Sequence, residues 1–147
     1  RDWSSDVCSS DLHRRLNARI RAAGCAPGVG FNPTTPVDGL VHLLDETAQV
    51  LVMTVDAGFK AQPFAPTALP KIAAIDGMIR TAGTPARICV DGSVNAGTID
   101  GMVANGGRIL VLGSTGLFGA PDPAEAIARA RAQAEAALRS SDPTASA

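Results

Sequence analysis

The chain has 147 residues, 46% apolar and 18% charged, with a formal net charge of -1, which is enough for one hydrophobic core and too little for two. Near-neutral charge and 3% aromatic residues offer neither the basic surface nor the stacking platforms that nucleic-acid binding needs. No apolar run approaches the roughly 20 residues of a membrane helix, and Cys8, Cys25 and Cys89 share no metal-type or paired spacing, so a soluble, disulfide-free, cytoplasmic protein is expected.

Residues 1–12, RDWSSDVCSSDL, show no periodicity, cap or signal-peptide layout. The segment resembles one reading frame of a sequencing-library adapter and is set apart as non-native, the alternative being a natural disordered terminus. On the adapter reading, elements upstream of His13 are missing from the chain. Leu16, Ile20 and Ala23 then fit one face of an amphipathic helix that Gly24 stops. Gly28 to Phe31 reads as a short strand, ended by Asn32-Pro33-Thr34-Thr35-Pro36 because proline cannot continue a ladder. Thr35 and Pro36 predict the cap and first turn of a second helix with Leu40, Leu43 and Leu44 inward.

Val50 to Val55 is nearly continuous in apolar residues, which predicts a strand buried on both faces and hence a parallel sheet. A loop over 57–66 follows, then helical spacing through Ile72, Ile75 and Ile79 within Ala68 to Thr81. Arg87 to Val90 is a third strand, Thr98 to Asn105 a short helix with Ile99, Met102 and Val103 inward, and Ile109 to Leu112 a fourth strand. Asp122-Pro123-Ala124-Glu125 starts a last helix, with aspartate as cap and glutamate reaching back to it. That helix is expected to end near Arg139, leaving residues 140–147 as a polar tail.

Strands alternating with helices specify α/β architecture with a parallel sheet. Four strands are half of the eight that a TIM (β/α)8 barrel builds from about 250 residues. A small doubly wound sheet is the competing fold, but no Gly-x-Gly-x-x-Gly turn follows a strand to support it. One domain over residues 13–139 is expected.

In a barrel the carboxyl ends of the strands share one rim, where chemistry sits. Here they carry Asn32; Thr54, Asp56 and Gly58; Asp91, Gly92 and Ser93; and Gly113 and Ser114. Glycines allow close backbone approach, and amides at Ser93, Ser114 and Thr115 can point at an anion, so the tandem turns predict a phosphate site; alternatively they only close tight turns. Asp91 can bind a divalent metal, move a proton beside a carbonyl, or serve as a turn aspartate. Met53 either packs in the core or lines a pocket. His13 and His42 fall on helices away from the rim.

Four segments in order carry a resemblance: Gly30-Phe31-Asn32-Pro33-Thr34-Thr35-Pro36, Met53 through Phe64 (MTVDAGFKAQPF), Val90-Asp91-Gly92-Ser93-Val94-Asn95, and Gly113-Ser114-Thr115-Gly116-Leu117-Phe118. Together they resemble the carboxyl-terminal half, about strands five to eight of the barrel, of the ribulose-phosphate 3-epimerase family. The likeness spans about Leu16 to Phe118.

The resemblance implies an isomerase of carbohydrate metabolism, including the pentose phosphates. A divalent metal, zinc foremost and otherwise iron, manganese or cobalt, polarises the ketose carbonyl. Two aspartates on opposite faces of the sugar exchange the proton at carbon three. Asp91 matches the aspartate that is both metal ligand and acid/base. Gly58, Phe59, Lys60 and Ala61 match the loop that covers the substrate. Gly92, Ser93, Gly113 and Ser114 match the phosphate cradle. The partner implied is a phosphorylated ketose, and the full-length parent is expected to be a homo-oligomer.

The chain also departs from the family pattern. The covering loop usually reads Pro-Gly-Phe-Gly-Gly-Gln, whereas Ala57, Lys60 and Ala61 replace its proline and two glycines. Ser93 stands where a second glycine is common. Asp56, Ser93 and Gly116-Leu117-Phe118 resemble the allulose-6-phosphate 3-epimerase branch, leaving pentulose and hexulose phosphates both open. Two histidine ligands, a second aspartate and a serine of the family's early strands have no counterpart, so the fragment alone is expected to be inactive and prone to self-association. The rival readings are another phosphate-binding barrel, such as a lyase or decarboxylase, and a non-catalytic sugar-phosphate binder.

Overall fold

The computed structural model describes residues 9–56, 58 and 62–141. Among these residues there are four α-helices and four strands, in the order α1 (Ser9–Ala22), β1 (Gly28–Phe31), β2 (Gln49–Met53), α2 (Ala68–Ala82), β3 (Arg87–Asp91), α3 (Ile99–Ala104), β4 (Gly107–Val111) and α4 (Pro123–Ser141). All strand pairs are parallel, and the order across the sheet is β1-β2-β3-β4.

Each strand is a short apolar run between residues that stop it. Val50, Val52, Ile88 and Val90 are fully buried and face Ile72, Ile75 and Ile79 of α2 and Ile99, Met102 and Val103 of α3 in one core. Val29, Phe31 and Leu110 pack partly against it. Burying a side chain of this size contributes about 1.5–3 kcal/mol, which outweighs the weak intrinsic preferences of such short strands. Along α4, Ala126 and Ala130 are buried and Ala134 and Ala137 pack on the core, so small residues bring this helix close to its neighbours. Gln133 fastens α4 to α3 and the segment before it, donating to Ala96 O at 2.8 Å and Asp100 Oδ1 at 2.9 Å.

Alternate residues point to the other face of the sheet. There the register lines up Leu51 with Cys89 and Ile109, and Met53 with Asp91 and Val111. These rows are stacked like the layers inside a closed barrel. A doubly wound sheet would reverse its strand order and carry helices on both faces; here the order is sequential, and the helix-packed core draws on one face of the sheet. The architecture is half of a TIM barrel.

Several expectations are corrected. Val50 to Val55 is not buried on both faces: β2 alternates, with Val50 and Val52 buried and Leu51 and Met53 only partly so. It ends at Met53. No α-helix follows Pro36; two 3-10 turns, Asp38–His42 and Leu44–Glu46, take its place. They still bury Leu40, Leu43 and Leu44, since a tight turn also brings i and i+3 to one side. α1 begins at Ser9, ahead of the expected start and within the segment set apart as non-native. Asp122 caps α4 through Oδ1, accepting from Ala124 N at 2.8 Å, but Glu125 pairs with Arg129 instead of reaching back.

Candidate active site

The carboxyl ends of the strands gather the expected rim residues on one side of the sheet. Thr54, fully buried just past β2, joins two of these ends. Its amide donates to Asp91 O at 2.8 Å, and its hydroxyl lies 3.2 Å from Asp91 O and 2.5 Å from Gly92 O. The backbone that carries Asp91 is thereby held from the neighbouring strand.

The turn after β3 is unusual in its backbone. Gly92 has φ +118°, and Ser93, at φ +48°, is the only described non-glycine residue with positive φ. Glycine adopts such left-handed geometry most easily. Here the serine hydroxyl donates to Gln62 O at 2.8 Å, tying this turn to the loop that follows β2. The Ser93 carbonyl accepts from Asn95 Nδ2 and Thr98 Oγ1, both at 2.8 Å. Asn95 Oδ1 in turn accepts from Gly97 N at 2.9 Å.

The turn after β4 is a π-turn over Ser114–Phe118, with Gly113 O accepting from the amides of Leu117 and Phe118. The earlier amides, from Ser114 to Gly116, precede the first donor of that turn and so have no partner within it. Gly116 lies directly against the carbonyl of Val94, so the two rim turns touch.

Asp91 pairs in register with Met53 on one side and Val111 on the other. Gly113 lies two residues beyond Val111, the last residue of β4. Asp91, Gly92 and Ser93 thus open the turn after β3, and Gly113 and Ser114 open the turn after β4 that touches it through Gly116 and Val94. Met53 stands beside Asp91 on the barrel-interior face, opposite the helix-packed core. Gly58 is exposed, while Phe59, Lys60 and Ala61 lie outside the described residues. His42 is exposed on a 3-10 turn, and His13 is exposed on α1.

Cys89 stands two residues before Asp91 on the same strand face. Burial first, and then the Asp91 carboxylate, push its thiol above the ordinary value near 9, so it stays protonated at neutral pH. Because the unfolded thiol ionises at a lower pH, the folded chain binds more protons near that pH. The stability contributed is present below it and lost as pH rises further. Asp91→Asn is expected to move the pH profile of Cys89 alkylation, followed by mass spectrometry, to lower pH, because a neutral amide no longer opposes the thiolate. An unchanged profile would place the Asp91 carboxylate away from the barrel interior.

Lys71, near the start of α2, was not singled out by sequence reasoning. Its ammonium donates to Asn32 O at 2.7 Å, Pro33 O at 2.6 Å and Thr35 O at 2.7 Å. The available signal was that it is one of only two lysines in the chain, placed in a helix turn that opens at the rim.

A parallel half barrel with its polar turns and one carboxylate at the carboxyl ends of the strands is a β/α-barrel protein of the kind whose site lies at that rim. Residues 6–118 match the model of the ribulose-phosphate 3-epimerase family. The chain is 42% identical over 130 residues to a ribulose-phosphate 3-epimerase of Rhodospirillum rubrum, covering 88% of this chain and 56% of the relative. It is 38% identical over 124 residues to that of Methanocaldococcus jannaschii, with 84% and 53% covered. Against that of Mycobacterium tuberculosis the identity is 37% over 118 residues, with 80% and 51% covered. The chain belongs to the ribulose-phosphate 3-epimerase family, and it spans about half the length of these curated relatives.

Among the described residues no three His, Cys, Asp or Glu side chains come together to hold a metal ion. Asp91 alone does not make a centre for zinc, iron, manganese or cobalt, since such ions take several protein ligands. No helix among the described residues is long and apolar enough to cross a membrane.

Proposed function

We propose that this chain is the substrate-phosphate half of a ketose-phosphate 3-epimerase, with residues 13–139 forming one partial-barrel domain. The observation that carries the reading is the meeting of Asp91 with two adjoining rim turns, in a chain of this family. The turn amides at Ser93 and Ser114, with Gly92 and Gly113 allowing close approach, would hold the phosphate of a phosphorylated ketose. Phosphate binding fixes the sugar so that the carbon beside its carbonyl lies against Asp91.

Asp91 then exchanges the proton at carbon three. The negative charge left behind spreads onto the adjacent carbonyl, and return of a proton from the opposite face inverts the centre. Met53 lines the wall beside Asp91, and the loop from Gly58 to Ala61 covers the bound sugar and excludes water. The opposite-face acid/base and the remaining ligands of any divalent metal, zinc foremost, belong to the other half of the barrel. A metal bound there with Asp91 would supply Lewis-acid polarisation of the carbonyl.

The purified chain alone is expected to show no epimerase turnover with ribulose 5-phosphate or allulose 6-phosphate. Co-expression with the first four β/α units of a relative is expected to restore activity, and Asp91→Asn to lower kcat at least 100-fold, the usual scale for a lost acid/base. Running both sugars distinguishes the pentulose from the hexulose reading. Turnover by the isolated chain, or full activity of the Asp91→Asn complex, would overturn the assignment.

A further inference from the structure

We propose that Lys71 is a positioning residue whose ammonium acts as a built-in monovalent cation, holding the loop after β1 in the shape that borders the substrate opening. The argument begins with hydrogen-bond supply. Residues 32–36 read Asn-Pro-Thr-Thr-Pro; two of the five have no N–H, yet all five have carbonyls. One internal bond forms, Thr35 N to Asn32 O at 3.1 Å. The segment is therefore rich in acceptors and poor in donors, and cannot organise itself.

Lys71 supplies what is lacking. An ammonium has three N–H donors around one atom, and three carbonyl oxygens of this loop lie 2.6 to 2.7 Å from it. Three converging carbonyl dipoles are the arrangement that coordinates a monovalent cation by replacing its water. Burial lowers the lysine pKa from its usual value, while the carbonyls favour the charged form. A guanidinium could not take its place, because its donors lie in a planar fork and do not converge on a point.

The loop's location gives this clamp its consequence. Asn32 follows Phe31, whose register partner is Val52, so the loop starts at the level of the row containing Met53, Asp91 and Val111. Lys71 sits on α2 beyond the next strand, and its bonds fix the far side of the opening relative to β2. No substrate contact is required of it; it acts through the loop carbonyls.

Chemical rescue tests the idea. Lys71→Ala removes stem and charge together, and is expected to lower the urea midpoint; propylammonium or potassium should restore most of the loss. Lys71→Met keeps the stem in the gap without the charge, and is expected to be destabilised with no response to either cation. Wild type should respond to neither. If Lys71→Ala does not fold, the comparison passes to refolding yield with and without propylammonium. Stability of Lys71→Ala equal to wild type, failure of both cations to restore it, or equal restoration of Lys71→Met would overturn the proposal.

Only the last arm rests on the epimerase reading. In the complex completed by the other half of the barrel, Lys71→Ala is expected to raise KM for the ketose phosphate several-fold, and propylammonium to lower it again. Cation rescue of stability with an unchanged KM would overturn the positioning role while leaving the catalytic assignment of Asp91 intact.

Discussion

Gly92→Ala is expected to lower the unfolding free energy by about 3 kcal/mol, the sum of a left-handed backbone penalty and an overpacking penalty. Position 92 has φ +118°, where side chains other than hydrogen are strained. A Cβ placed there would lie 2.7 Å and 3.0 Å from the two methyls of Val55 and 3.0 Å from the Val55 amide nitrogen. A methyl can rotate away, but the nitrogen belongs to backbone that follows Thr54, whose bonds to Asp91 and Gly92 fix it. Relief therefore requires the ends of β2 and β3 to separate.

The consequence at the site follows from the same links. Separating those strand ends releases the Asp91 backbone from Thr54, so the variant should lose phosphate affinity as well as stability. Urea denaturation and phosphate titration by calorimetry measure the two. Ser93→Gly is the control: it relieves the positive φ at position 93 but gives up the bond to Gln62, about 1 kcal/mol each way, so its stability should stay near wild type. Gly92→Ala as stable as wild type would show that the turn can reorganise and that its backbone is not what holds Asp91.

What was legible in the sequence is what local physics determines. The four strands show as apolar runs between glycine and proline, and α2 as a row of isoleucines at helical spacing. The rim residues follow because parallel topology sends every strand end to one side. The 3-10 turns look like a helix in the sequence because Leu40, Leu43 and Leu44 satisfy the spacing of both helix types, and Gly39 shortens what a true helix could propagate. The expectation of two-sided burial for β2 failed for a different reason. An apolar run records that both faces are meant to be covered, but Leu51 and Met53 point to a barrel interior that this half does not close. Thr54 and Asn95 are legible as rim residues but their hydrogen bonds are not, and Lys71 is not legible at all, because the partners are backbone carbonyls and amides, and a carbonyl leaves no mark in a sequence.

Gly116→Ala is the second large effect, and it separates two glycines that look alike in the motif. A Cβ at position 116 would run into the carbonyl oxygen of Val94, and Val94 cannot retreat because its side chain is buried in the core at 1% exposure. The π-turn over Ser114–Phe118 must therefore move away from the turn after β3, at a cost of about 2 kcal/mol. Gly113, by contrast, has an ordinary φ of -112° and no atom within 4 Å of an added Cβ. Gly113→Ala should leave the unfolding free energy, measured by urea denaturation, within about 0.5 kcal/mol of wild type. If the rim holds phosphate, however, the new methyl stands where an anion must approach the Ser114 amide, and affinity should fall in Gly113→Ala without loss of stability. Gly116→Ala should lose both together. A Gly113→Ala variant that binds phosphate like wild type would mean that this turn does not face the anion, and would leave the turn after β3 as its only holder.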